Sequence, residues 1–196
     1  MKTTNQKRIS TETLVSGAVL TAIVIILQTM GSFALFGPFS AAVALIPIVI
    51  GAALCGVKIG AWLGFVFSMV VIFSGGATLF FGFHITGTIV TVVAKGVCCG
   101  LAAGFVYKLL KKINQYVAVI AAALTAPLVN TGVFLLGCLV FFMEDAVAIG
   151  AVVGIEKAGF AVFIALAFAN FLFEIGINLV LVPVIVRVLN IIKKKK

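Results

Sequence analysis

The sequence predicts an all-α membrane protein, a six-transmembrane-helix bundle with N- and C-termini cytoplasmic. Three observations carry this expectation. First, 64% of the 196 residues are hydrophobic and only 10% are charged, with a mean hydropathy of +1.37. A soluble domain averages roughly 45–50% apolar and about 25% charged residues. This chain has too little polar surface to cover itself, which excludes a soluble enzyme, a nucleic-acid binder and a disordered chain. Second, the apolar residues fall into six runs. Six crossings at about 20 residues each use roughly 120 residues, leaving short loops and no room for a soluble domain. Third, basic residues are concentrated in alternate loops, as orientation in a bilayer requires.

The whole chain, 1–196, reads as a single integral-membrane domain. Residues 1–13 form a polar cytoplasmic tail with Lys2, Lys7, Arg8 and Glu12. The first span is expected at 14–30. Its apolar run exceeds the usual ~7–15 residues of a signal peptide, so it is read as a retained helix. The second and third spans are expected at 39–56 and 59–73, the third short enough that it could continue through 75–83. The fourth is expected at 85–110, the fifth at 116–142 and the sixth at 159–189, before a basic tail at 190–196. Pro47, Pro127 and Pro183 fall inside the second, fifth and sixth spans. Each removes an amide donor and disrupts the bond to the carbonyl four residues back, an ordinary kink in membrane helices.

With the N-terminus inside, the inner segments carry Lys2, Lys7, Arg8, Lys58, Lys108, Lys111, Lys112, Arg187, Lys193, Lys194, Lys195 and Lys196, twelve of the fourteen bases. The outer loops 31–38 and 74–84 carry no Lys or Arg, and the third outer loop holds Glu144, Asp145 and Glu156 with one base, Lys157. The net charge of +9 is therefore an orientation signal and not a nucleic-acid footprint.

Small residues recur four apart in Gly56-x-x-x-Gly60-x-x-x-Gly64 and Gly96-x-x-x-Gly100-x-x-x-Gly104. Residues four apart share a helix face, and small ones let backbones approach closely. The two ladders are read as packing within the bundle. Ala18 and Ala22 repeat the spacing in the first span, where a contact with another subunit rivals internal packing. Cys55, Cys98, Cys99 and Cys138 form no C-x-x-C pair and lie in apolar runs, as packing residues do.

The informative residues are polar groups at membrane depth. His84, Thr88, Thr91 and Lys95 fall on one stripe of the fourth span, and Asn170, Glu174 and Asn178 on one face of the sixth. Asn130 and Thr131 follow the kink in the fifth span, and Gln28 ends the first. A charge at the bilayer centre costs about 2.5–3.5 kcal/mol even on lenient scales. Lys95 and Glu174 are the two deep charges, of opposite sign. They form an ion pair or bind a polar solute, and the two roles are compatible. His84 alone suits a surface or capping position better than catalysis. The candidate solute-binding set is Lys95, Thr91, Thr88, His84, Asn130, Asn170, Glu174 and Asn178. The uncharged outer loops are rich in Gly and Phe; Phe33, Phe36, Phe39 and Phe81 are lids over a flat ligand or aromatic anchors at the interface.

No G-x-x-x-x-G-K-[ST] is present, so the chain holds no P-loop for ATP. One histidine, no H-E-x-x-H and a lone aspartate, Asp145, leave no metal site, no cofactor and no protease constellation, so no enzyme is expected. A transporter or solute-binding subunit remains, driven by an ion gradient or by partners.

Three stretches sharpen this: Gly17-Ala-Val-Leu-Thr-Ala, Leu45-Ile-Pro-Ile-Val-Ile-Gly-Ala-Ala-Leu-Cys-Gly-Val-Lys-Ile-Gly-Ala-Trp-Leu-Gly and Pro127-Leu-Val-Asn-Thr-Gly-Val-Phe. With them, and over nearly its whole length, the chain resembles the S components of energy-coupling factor (ECF) transporters, vitamin-capturing membrane subunits common in Gram-positive bacteria. The resemblance implies a plasma-membrane protein that binds one vitamin or related micronutrient from outside. The pocket would lie among the fourth to sixth helices, under the loop between the first two. It also implies a T subunit and two ATPases as partners, with the S component toppling to deliver its ligand. Ala18 and Ala22 stand where the family's A-x-x-x-A motif packs against the T subunit. One base, one acid, amides and hydroxyls suit a neutral or singly charged ligand better than a polyanion, and a flat ring fits well; riboflavin or pantothenate would do. The alternative is a stand-alone ion-coupled carrier switching through Lys95 and Glu174, although no inverted repeat or paired broken helices are visible.

Overall fold

The computed structural model describes residues 11–33, 40–155 and 159–194. Among them the chain is helical throughout, with no strand: α1 (Thr11–Phe33), α2 (Ser40–Cys55), α3 (Val57–Phe73), α4 (Thr78–Phe81), α5 (Ile85–Leu110), α6 (Gln115–Phe141), α7 (Ala146–Val153) and α8 (Ala161–Lys194). Helix is what so apolar a sequence must form in lipid, where no water satisfies a free backbone amide. The six long helices fall on the six expected runs. α4 and α7 are additions, set in stretches expected to be loop. The third span does not continue through 75–83. α3 ends at Phe73, where Ser74 N–H still bonds the Val70 carbonyl at 2.8 Å, and Gly75 then turns the chain at φ 82°.

Local chemistry sets the other boundaries. Gly56, at φ 94°, allows the abrupt reversal between α2 and α3. Asn114 opens α6 by accepting the amides of Tyr116 at 2.7 Å and Val117 at 3.4 Å through its side-chain oxygen. His84 opens α5 in the same way, its Nδ1 accepting from Gly87 N–H at 2.9 Å. Four stretches among the described residues are long and apolar enough to cross a membrane: Thr11–Gly31, Ile85–Leu110, Gln115–Phe141 and Ala161–Ile191. α2 and α3 are apolar but shorter, with 16 and 17 residues. Seventeen residues rise about 25 Å as helix, just short of a ~30 Å hydrocarbon core.

The long helices alternate in direction. Gly17 lies against Ile59 and Thr21 accepts from Trp62 Nε1 at 3.2 Å, so α1 and α3 run parallel. Gly60 faces Ala52 across the α2–α3 reversal. Gly64 faces Gly96 and Gly60 faces Gly100, so α5 runs antiparallel to α3. Gly87 faces Phe141 and Thr91 faces Gly137, reversing direction again into α6. Asn130 meets Glu174 and Gln115 meets Asn190, reversing it once more into α8. One end of the bundle therefore collects Lys58, Lys108, Lys111, Lys112 and Arg187, and the other collects α4, α7, Glu144 and Asp145.

The tightest contact is between α3 and α5. A Cβ on Gly64 would stand 2.0 Å from the Gly96 carbonyl oxygen, and one on Gly100 would stand 2.0 Å from that of Gly60. Ser68 joins the seam, its hydroxyl 2.7 Å from the Val92 carbonyl. The ladders do pack within the bundle, against each other. The main apolar core, with Leu45, Ile48, Leu63, Phe67, Ala122 and Ile185, runs from the basic end along α2, α3 and α5 up to Val71 and Ala77 beside α4. A smaller core around Cys138, Phe142, Ile149 and Phe163 lies toward the other end.

This seam makes a direct prediction. Gly64→Ala and Gly100→Ala should each destabilise the bundle by about 1–3 kcal/mol through overpacking, seen as a lower thermal midpoint in detergent. Gly132→Ala and Gly176→Ala, where nothing stands within 4 Å of the added carbon, should cause no loss.

Candidate functional site

Between the two cores lies a band of polar side chains. Residues four apart on α8 put Asn170, Glu174 and Asn178 on one face, with Glu174 and Asn178 completely buried. Opposite them α6 contributes Asn130, 3% exposed. The Glu174 carboxylate accepts from Asn170 Nδ2 at 2.7 Å and from Asn130 Nδ2 at 3.1 and 3.3 Å. Asn178 Nδ2 donates to the Glu174 backbone carbonyl at 2.8 Å. Hydrogen bonds to a charged group contribute about 1.5–3 kcal/mol each, against a desolvation penalty of several kcal/mol for a buried ion. Two amides therefore go far toward making a buried carboxylate tolerable.

Lys95, half-buried on α5, does not pair directly with Glu174. Its Nζ lies 5.6 Å from the ring centre of Phe134 and 6.0 Å from that of Phe67, a cation–π setting. The two charges lie within each other's field without touching. The ion-pair expectation is corrected accordingly: amides hold the acid and aromatic faces hold the base. Phe134 and Asn130 are one turn apart on α6, so Lys95 and Glu174 border the same stretch of that helix.

Beside Lys95 is a cavity of about 50 Å³. Thr88, Thr91 and Lys95 form one wall, Phe134 and Phe142 another, and Gly76, Ala77 and Phe80 the side nearest the acidic end. Phe80 stacks edge-on against Phe134 at 5.5 Å and Phe142 at 5.2 Å. The cavity is a water's size or two, well below the ~300–1,000 Å³ of small-molecule pockets. Larger grooves of about 370 and 530 Å³ open on the exposed flanks of the bundle, the first near the basic end. Neither is bordered by a buried polar side chain, and the second is floored by Trp62, Phe65 and Met69.

Several polar atoms around this band are buried without a hydrogen-bond partner: Thr91 Oγ1 and the Oδ1 atoms of Asn130, Asn170 and Asn178. Thr88 is 1% exposed, and its hydroxyl donates to the His84 carbonyl at 2.7 Å. The remaining sequence candidates fall outside the band. His84 is exposed and caps α5 beside Phe141. Phe81 packs on the main core, and its neighbour Phe80 is the one that lines the cavity. Phe33 is the last residue of α1, and Phe36 and Phe39 lie outside the described residues. Ala18 and Ala22 are on the exposed face of α1, with Leu14, Val15 and Val19. Sequence reasoning missed Phe80, Phe134, Phe142 and Phe67. Only the one-turn spacing of Phe134 from Asn130 marked any of them out among 18 phenylalanines.

An all-helical bundle with four helices of membrane-crossing length marks an integral membrane protein, and its buried polar band sets it apart from a purely apolar one. The family follows from the sequence as a whole. The family model of the ECF transporter, substrate-specific component, matches residues 12–186, and the chain belongs to this family. Its members are substrate-binding membrane subunits and not enzymes. No curated protein and no solved structure matches the chain.

The hydrogen bonds of the band predict its energetics. Glu174→Leu strands two buried amide donors and should cost about 1–3 kcal/mol for each, read as a lower thermal midpoint. Glu174→Gln, which keeps an acceptor oxygen, should cost less. Lys95→Met/Glu174→Leu should be less destabilised than the sum of the single changes, by about 0.5 kcal/mol or more, because it leaves no uncompensated charge.

Proposed function

We propose that this chain captures a vitamin or related micronutrient outside the cell and delivers it inside, together with a T subunit and two ATPases that supply the energy. On this reading all six long helices cross the plasma membrane, both termini are cytoplasmic, and 1–196 is one domain. The collection of basic side chains at one end of the bundle supports that orientation.

The observation that carries the proposal is the buried polar band and its depth. Lys95 lies ten residues into α5, Asn130 eleven residues before the end of α6, and Glu174 thirteen residues into α8. At ~1.5 Å per residue these are about 15, 16 and 20 Å from the end opposite the bases. Polar groups at matching depth on three adjacent helices cost stability in lipid. A solute that uses them accounts for that cost better than packing does. Lys95, Thr91, Thr88, Asn130, Asn170, Glu174 and Asn178 form the binding set, and His84 holds the top of α5 beside it.

Entry requires the roof to move. α4 hangs between Gly75 and Gly82, and Phe80 fills the space over Lys95. Lifting this segment enlarges the cavity toward ligand size and frees the face of Phe134 for a flat ring. One base and one acid suit a neutral or singly charged solute, and riboflavin and pantothenate both qualify. The exposed Ala18 and Ala22 offer a smooth small-residue strip for a T-subunit helix.

Two experiments test the proposal. Glu174→Ala and Asn130→Ala should each weaken binding of the solute by about tenfold or more in calorimetry of the purified chain against B vitamins, with the helical circular-dichroism signal retained. Ala18→Leu/Ala22→Leu should abolish co-purification with the T subunit and ATPases while leaving solute binding intact. Uptake by this chain alone in proteoliposomes, driven by a pH or sodium gradient, would instead favour the ion-coupled carrier.

A further inference from the structure

Resting on the capture role just proposed, we infer that the site reads the polarity of its solute. A ring N–H of the solute is received by the side-chain carbonyls of Asn130 and Asn170 beside Glu174, and a carbonyl or carboxylate of the same solute is received by Lys95 and Thr91.

A carboxylate only accepts hydrogen bonds, so the two amides that hold Glu174 turn their Nδ2 atoms toward it. Their Oδ1 atoms are thereby turned away. Asn178 is locked in the same sense, because its Nδ2 is engaged by the Glu174 backbone carbonyl. The result is three buried Oδ1 atoms without a partner, all of one chemical kind, next to a carboxylate. Such a surface calls for donors and repels anions.

The α5 side has the opposite character. Lys95 is donor-only, and its described contacts are aromatic faces, so its N–H groups are uncommitted. Thr91, one turn away, has a buried hydroxyl with no partner, whereas the hydroxyl of Thr88 is engaged by His84. Phe134 spans the two sides, with Lys95 over its ring and Asn130 one turn along its helix. The cavity reaches Lys95, Thr91 and Phe134, and on this inference a flat solute that enters it extends past Phe134 to Asn130, one turn along α6, with its donor edge toward the amide carbonyls and its acceptor edge toward Lys95. Cyclic imides and ureides have this polarity, as does a ring N–H joined to a carboxylate. A carboxylate lacking any N–H presents nothing to the Glu174 side.

Matched pairs of probes test this on the purified full chain in nanodiscs: riboflavin with its N3-methyl derivative, biotin with its N-methylated ureide, and nicotinate as an anion without N–H. Each is titrated calorimetrically against wild type and Asn130→Ala/Asn170→Ala, which lacks both accepting carbonyls. The expected result is that an N–H-bearing probe binds more tightly than nicotinate. Methylation should weaken that probe about tenfold or more in wild type and less than about twofold in the double variant. The methylation arm needs no variant, so it stays readable if the double variant fails to fold. Indifference to methylation, tightest binding of nicotinate, or binding that requires sodium over choline overturns the inference while leaving capture standing. If no probe binds, native mass spectrometry decides. A co-purified molecule with a ring N–H supports the inference, one without overturns it, and no molecule at all removes the capture role and this inference with it.

Discussion

The bundle depends on one contact above others, the approach of α3 and α5 along their glycines. In lipid no hydrophobic force draws helices together, because acyl chains are as apolar as leucine. Association must come from close packing, which is strongest where backbones touch. Gly60 and Gly64 meet Gly100 and Gly96 so closely that a methyl group would collide with a carbonyl oxygen. The Ser68 hydroxyl bonds across the same seam to Val92. This contact sets the rotation of α5. With its glycine face committed to α3, the stripe carrying Thr88 and Thr91 turns toward α6 and the cavity.

The second constraint is electrostatic. An acid buried completely on α8 needs donors, and the nearest are amides on two helices. Asn170 comes from the same helix one turn earlier, and Asn130 comes from α6, so satisfying Glu174 also ties α6 to α8. The base is treated differently. Lys95 is stabilised by the faces of Phe134 and Phe67 rather than by the acid. Keeping the two charges apart preserves two poles in one interior, where a direct pair would have cancelled both. On α6 and α8 the amides and the acid stand between Ala126 and Val182 of the large core and Cys138 and Phe163 of the small one.

The small core holds few buried side chains, and over it lies a single helical turn bounded by glycines. Phe80 links that roof to the site by stacking on both Phe134 and Phe142. The same turn rests on the larger core through Ala77 and Phe81, so α4 bridges both cores.

Much of this was legible in sequence, for definite physical reasons. The cost of backbone polar groups in lipid determined that the six apolar runs are helices, and Ile85–Leu110 was bounded to the residue. The cost of charge at depth marked Asn130, Asn170, Glu174 and Lys95 as the residues needing explanation, and the four-residue spacing of glycines marked the seam. Helical periodicity reports which face a residue occupies but not what stands opposite. The choice of amides rather than Lys95 as partners for Glu174 was therefore decided only by the tertiary structure. So was the choice of Phe80 over Phe81 to cover the cavity, since adjacent phenylalanines on one short turn look alike until the neighbouring helices are in place. The sequence by itself determined which stretches are apolar helix and which polar residues within them are out of character there. The fold decided which of those meet, because contacts between helices depend on rotation and depth, quantities that no single segment contains.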